Sequence, residues 1–208
     1  MSQYLDKASV LPVLTVTDVD MAIALSDALQ RGGINAVEIT LRTDAGLEAL
    51  SAVKKALPSM IVAAGTVNTP EAMDAVAKAG VDFAVSPGMT ANLVKHAAAI
   101  DLPFLPGVAT PSDVLQGAEL GLENFKLFPA AAVGGLALLK SMAAPLADFR
   151  FCPTGGLTQD NFSEYLSLPN VVCVGGSWMV PASLLEKKAW GEITQLASET
   201  SNIVKSLN

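Results

Sequence analysis

Short runs rich in β-branched and apolar residues recur along the chain, each followed by a longer amphipathic stretch. The runs cover residues 10–16, 36–41, 61–64, 83–86, 104–106, 124–128, 150–152 and 171–174. Helical spacing marks the stretches near residues 18–31, 44–56, 70–79, 91–100, 112–120, 135–142, 159–166 and 184–205. Thr17-Asp18, Thr69-Pro70-Glu71 and Thr110-Pro111-Ser112-Asp113 place a capping residue at helix starts, and Gly32-Gly33, Gly80 and Gly121 follow helix ends. Most strands lie about 20 to 25 residues apart, a spacing that suits parallel crossovers rather than hairpins. Eight such units close most economically into an α/β fold of one domain, a (β/α)8 TIM barrel over residues 1–208. Residues 1–9 precede the first unit as an N-terminal extension. An open doubly wound parallel sheet is the structural alternative.

With 51% hydrophobic and 16% charged residues, the 208-residue chain can bury a substantial core and is not disordered. The net charge of −7 argues against a nucleic-acid partner, which requires a basic face. An anionic small substrate remains compatible, because a few local cations and helix N-termini can outweigh a diffuse field. No apolar run approaches the roughly 18 to 20 residues of a membrane span. The longest, residues 128–139, is interrupted by Pro129, Gly134 and Gly135. Residues 1–7 lack the basic segment and apolar core of a secretory signal. Cys152 and Cys173 fall in strand runs and need no disulfide, so a cytoplasmic protein is expected.

Lys126 is out of place in this pattern. It lies in Asn124-Phe125-Lys126-Leu127-Phe128-Pro129, which reads as a buried strand, whereas the other nine lysines fall in polar or helical contexts. Burying an ammonium without a partner is costly, and deprotonation relieves that cost. A neutral interior amine is a nucleophile, and carbonyl carbon is its natural target.

In a (β/α)8 barrel, chemistry belongs at the carboxyl ends of the strands. Those ends carry Glu38, Thr40 and Arg42; Thr66; Ser86-Pro87-Gly88; Pro106-Gly107; Lys126; Thr154-Gly155-Gly156; and Gly175-Gly176-Ser177. With a period of two, Glu38, Thr40 and Arg42 share one face and Ile39 and Leu41 the other. A buried ion pair of Glu38 with Lys126 or Arg42 is the ordinary reading, although such pairs are weak stabilisers. The single histidine, His96, lies in a helical stretch and is set aside. Proton transfer then falls to a carboxylate, the amine or water, and Glu38 is the best-placed carboxylate. One histidine and two strand cysteines do not make a zinc site, so neither metal nor cofactor is expected. The planar fork of Arg42 suits a substrate carboxylate. Thr66 either adds a hydroxyl to that group or caps the following helix. Gly155-Gly156 and Gly175-Gly176-Ser177, after the last two strands, suit a phosphate held by backbone N–H groups.

Several segments together resemble one family: Glu38-Ile39-Thr40-Leu41-Arg42-Thr43, Gly65-Thr66-Val67, Ser86-Pro87-Gly88, Pro106-Gly107, Phe125-Lys126-Leu127-Phe128-Pro129-Ala130, Phe151-Cys152-Pro153-Thr154-Gly155-Gly156 and Gly175-Gly176-Ser177-Trp178. Their order and spacing are similar to those of the bifunctional bacterial aldolases for 2-keto-3-deoxy-6-phosphogluconate and 4-hydroxy-2-oxoglutarate. The resemblance implies a class I aldolase of the Entner–Doudoroff pathway, a (β/α)8 barrel and a homotrimer. It implies that Lys126 forms a Schiff base, that Glu38 transfers protons, and that Arg42 and Thr66 hold the pyruvate carboxylate with Pro87 lining that end. It further implies that Gly155, Gly156 and Ser177 hold the phosphate and that Thr154 faces the aldehyde half. The expected small molecules are pyruvate and glyceraldehyde 3-phosphate, with pyruvate and glyoxylate from the second substrate. No position named departs from the family pattern. Three other readings stay open: an aldolase for the galactonate epimer, a phosphate-binding isomerase or epimerase, and a non-catalytic metabolite-binding barrel.

Overall fold

The computed structural model describes residues 1–207. It begins with helix α1 (Ser2–Ala8), then β1 (Val10–Leu14), α2 (Val19–Arg31), β2 (Ala36–Thr40), α3 (Gly46–Ala56), β3 (Ile61–Gly65) and α4 (Pro70–Lys78). There follow β4 (Phe83–Val85), α5 (Ala91–Ala99), β5 (Phe104–Leu105), β6 (Gly107–Val108), α6 (Pro111–Glu119), β7 (Asn124–Leu127) and α7 (Gly135–Ala143). The chain continues through β8 (Arg150–Pro153), α8 (Phe162–Leu166), β9 (Val174–Gly176), α9 (Ala182–Glu186) and α10 (Trp190–Leu207).

Capping chemistry sets several helix starts. Asp18 accepts from the Met21 N–H at 2.7 Å, and Thr69 from that of Ala72 at 3.2 Å. Thr110 and Asp113 cap α6 reciprocally. Each such cap contributes about 1 kcal/mol.

The strand pairs are parallel, and the sheet is curled. Hydrogen-bonded order runs β5-β4-β3-β2-β1-β9 in one part and β6-β7-β8 in the other. Pro106 separates β5 from β6; having no N–H, it interrupts the ladder, while its carbonyl still accepts from the Lys126 N–H at 2.9 Å. An additional bridge joins Thr154 to Gly175.

Strand alternation sorts the core into two layers. Val37, Ile39, Val62, Ala64, Phe125, Leu127 and Phe151 pack in the larger hydrophobic cluster with helix residues such as Leu25, Leu29, Leu50 and Val53. Leu11, Ala36, Ala63, Phe83, Val85, Leu105, Cys152 and Cys173 form a second cluster on the opposite face. Helix α1 belongs to that second cluster. Leu5 is fully buried there, and the Tyr4 ring lies 5.6 Å from that of Phe83. Asn124, at the start of β7, donates to the Ser2 hydroxyl at 3.1 Å. The residues set apart in sequence as an extension therefore cover the amino ends of the strands. Glu38, Thr40, Lys126 and Thr154, buried and polar, lie toward the other end of the strands.

Two elements differ from the sequence pattern. The helix expected over 184–205 is split into α9 and α10, with Lys188 in the left-handed region at φ 51°. The apolar spacing runs through this break, and Gly191 beside it is the local residue that weakens a continuous helix. The last strand is displaced toward Gly176, because its pairing with β1 joins Val10 to Val174 and Pro12 to Gly176. Among the described residues, no helix is long and apolar enough to cross a membrane.

Candidate active site

Parity within two strands brings the central pair together. On β7, Phe125 and Leu127 face the helices, which turns Lys126 to the opposite face. On β2, Val37 and Ile39 do the same and turn Glu38 inward. The Lys126 Nζ donates to Glu38 Oε1 at 3.1 Å and to Oε2 at 3.2 Å, with the residues 5% and 1% exposed. The Phe128 ring centroid lies 5.4 Å from the same nitrogen. A buried pair of this kind adds little net stability, although removing one partner costs about 3–5 kcal/mol. Stability alone is therefore a poor reason to place it here.

Cys152 is the register partner of Lys126 on β8, and its thiol and that of Cys173 are free and buried in the second cluster. Burial, reinforced by a hydrogen bond with Cys152, pushes the Cys173 thiol well above its ordinary value of 9.0.

Arg42 lies exposed just after β2, and its Nε donates to Thr66 Oγ1 at 3.2 Å. Thr66 has φ 64°, a left-handed conformation that a β-branched side chain resists. Such strain persists where surrounding structure enforces it, commonly at functional sites. The N-cap of α4 is Thr69, which frees Thr66 from that role. Pro87 is exposed, and its carbonyl crowds Gly107, the residue paired with Lys126. Ser86 Oγ donates to the Gly88 carbonyl.

A cleft of about 410 Å³ opens above the pair. Lys126, Arg42, Phe128, Thr154, Gly155, Gly156 and Ser177 line it, together with Leu14, Leu157 and Val180. Its ionisable lining is cationic, although the chain as a whole carries −7. Gly155 and Gly156 have φ 98° and 81°, which glycine adopts without strain. Within the described residues, the N–H groups of Gly155, Gly156 and Ser177 donate to no backbone carbonyl, leaving them available to an anion. Thr154 is anchored through Oγ1 to the Cys152 carbonyl at 3.3 Å.

The structure thus gathers Lys126, Arg42, Thr154, Gly155, Gly156 and Ser177 around one cleft, with Glu38 bound to Lys126 and Thr66 to Arg42. Pro87 stands beside this group rather than in the cleft lining. His96 lies on α5, paired with Asp74 at 2.8 Å. Sequence reasoning missed Thr15, at the end of the first strand run, which also lines the cleft. A survey of strand ends that included the first strand finds it. Gly65 was also missed as a contact. A Cβ there would collide with the Glu38 carboxylate, a packing fact with no sequence signal.

An amine and a carboxylate in buried contact, at the open end of a parallel α/β sheet, form an enzyme site equipped for proton transfer and for attack on carbonyl carbon. Residues 1–196 match the family described as KDPG and KHG aldolase. The KHG/KDPG aldolase of Escherichia coli K12 is 44% identical over 190 residues, covering 91% of this chain and 89% of that protein. The 2-dehydro-3-deoxy-phosphogluconate aldolase of Zymomonas mobilis is 48% identical over 194 residues, covering 93% and 91%. In three dimensions the chain is similar to a KDPG aldolase from Legionella pneumophila, solved with pyruvate captured at low pH as a covalent carbinolamine intermediate. The TM-score is 0.93 at 40% identity, over 97% of this chain and 98% of that one. The chain belongs to the KDPG and KHG aldolase family. It is an aldolase, a carbon–carbon lyase.

Proposed function

We propose that the chain is a class I aldolase cleaving 2-keto-3-deoxy-6-phosphogluconate to pyruvate and glyceraldehyde 3-phosphate, and 4-hydroxy-2-oxoglutarate to pyruvate and glyoxylate. The observation carrying this reading is the buried contact of Lys126 Nζ with both Glu38 oxygens, at 3.1 and 3.2 Å. It opens onto a cleft with Arg42 and two glycine turns in its lining.

Lys126 gives a proton to Glu38 and attacks the substrate C2 ketone through its neutral Nζ. Glu38 returns that proton to the carbinolamine hydroxyl, which leaves as water and gives an iminium that acts as an electron sink. Glu38, directly or through a water, takes the C4 hydroxyl proton. The C3–C4 bond breaks, its electrons pass into the iminium, and the aldehyde leaves. The resulting enamine is protonated at C3, and water hydrolyses the pyruvate iminium to free Lys126. Each assisted proton transfer contributes about 10²–10⁴-fold. Arg42 and Thr66 hold the C1 carboxylate, with Pro87 bounding that end. Gly155, Gly156 and Ser177 hold the phosphate, and Thr154 faces the departing aldehyde.

In this reading the two parts of the sheet close into one (β/α)8 barrel domain over residues 1–208, with the interruption at Pro106 and the Thr154–Gly175 bridge as its seams. The family resemblance extends the proposal to a cytoplasmic homotrimer, which sedimentation equilibrium tests.

The chemistry is tested by incubating the protein with pyruvate, reducing with borohydride and mapping the product by mass spectrometry. A reduced pyruvyl adduct on Lys126 is expected. Its absence from natively folded protein would sink the Schiff-base mechanism.

A further inference from the structure

We infer that Thr15 determines specificity, as a preset hydrogen-bond acceptor that favours the phosphorylated polyhydroxy substrate over 4-hydroxy-2-oxoglutarate. The inference rests on the aldolase reading above and assigns a preference within it. Thr15 is exposed at the carboxyl end of β1 and lines the cleft with Lys126, Arg42 and Ser177. Its Oγ1 lies 3.1 Å from Thr40 Oγ1, and Thr40 Oγ1 lies 3.1 Å from the Leu14 carbonyl.

A hydroxyl has one proton and two lone pairs. Thr40 is fully buried, and a carbonyl can only accept, so the Leu14 contact takes the Thr40 proton. The Thr15 contact is then a hydrogen bond only if Thr15 donates. This chain, Thr15 to Thr40 to Leu14, is the one arrangement that makes both bonds. It leaves Thr15 without a proton for the cleft and with its remaining lone-pair capacity facing the substrate.

The two substrates share C1 to C4 and differ at C5. The C4 hydroxyl gives its proton toward Glu38, so C5 supplies the remaining contact. In the phosphorylated hexonate, C5 bears a hydroxyl that can donate to Thr15. In 4-hydroxy-2-oxoglutarate, C5 is a carboxylate, which can only accept. Facing it, Thr15 either repels it or turns and gives up its bond to Thr40. A site built for one hydrogen-bonding partner discriminates against an analogue that cannot supply it.

The test compares wild type, Thr15→Val and Thr15→Ser in kcat/KM on both substrates, with circular dichroism to confirm folding. Valine removes the acceptor at nearly constant volume. It is expected to lower kcat/KM on the phosphorylated substrate by about 5- to 10-fold, the value of one neutral hydrogen bond. On 4-hydroxy-2-oxoglutarate, kcat/KM is expected to hold or rise. Thr15→Ser should keep the wild-type ratio. A ratio unchanged in Thr15→Val, or an equal fall on both substrates, overturns the inference and leaves the aldolase reading intact. Loss of both cleavage and the Lys126 adduct in wild type would overturn the aldolase reading itself, and this one with it.

Discussion

Replacing Gly65 with alanine tests whether the position of Glu38, and not merely its presence, sustains turnover. Gly65 lies on β3, diagonal to Glu38 on the same face, since Glu38 pairs with Ala63. A Cβ at Gly65 would stand 2.8 Å from Glu38 Cγ and 3.0 Å from Cδ, and closer still to Oε1. Carbon atoms in contact need about 3.5–4.0 Å, so the carboxyl group must retreat by roughly 0.5–1 Å. It is held at 3.1 and 3.2 Å from Lys126, and a retreat of that size takes it to the edge of hydrogen-bonding range. A misplacement of about 1 Å costs on the order of 10²-fold in rate. We therefore expect Gly65→Ala to lower kcat/KM about 100-fold. Overpacking should also cost about 1–3 kcal/mol of stability. At about 2–4 °C per kcal/mol for a chain of this size, Tm should fall by roughly 2–12 °C. Turnover is followed as pyruvate release, and folding by circular dichroism. Adding Glu38→Asp, one methylene shorter, should recover part of the lost Tm without recovering activity. A folded Gly65→Ala variant within about threefold of wild-type kcat/KM would refute the argument, as that rate is incompatible with a displaced base.

Thr66→Gly separates strain from function. Relief of a β-branched residue at φ 64° should raise or hold Tm, at about 1–2 kcal/mol of released strain, while loss of the hydroxyl raises KM for the keto acid. A lower Tm with KM unchanged would show that Thr66 is structural. Cys173 predicts a pH effect. Its thiol, raised in the folded state by burial, stays protonated there while the unfolded thiol ionises. Stability is thus fully present below the unfolded value and falls as pH rises above about 9, by up to about 1.4 kcal/mol per pH unit for one proton. Thermal melts from pH 8 to 11 should show a steeper decline in wild type than in Cys173→Ala; parallel curves would remove the thiol as the cause.

Much of the site could be read along the chain, because its signals act over a few residues. A charged side chain in an apolar strand singles out Lys126, and period-two alternation turns Glu38 away from Ile39. Caps at Asp18, Thr69 and Thr110 are local hydrogen bonds and form where the residue types placed them. Thr66 shows the limit of such reasoning. A threonine three residues before Thr69 suits either a cap or a substrate contact, and which threonine turns toward the helix is settled by backbone geometry.

The strand–helix rhythm, the clustering of polar residues at the strand ends and the singling out of Lys126 all belong to the sequence, because propensity, periodicity and desolvation depend on near neighbours. Contacts between distant strands do not. Lys126 meets Glu38 across 88 positions, and Thr15 meets Thr40 across 25. Gly65 gives Glu38 its room, and α1 covers the opposite end of the strands. These depend on how the parallel strands are registered and curled, a property of the packed sheet as a whole. Which residues could do chemistry was written in the chain. Their distances, and the direction in which the Thr15 hydroxyl is committed, arose only when the strands came together.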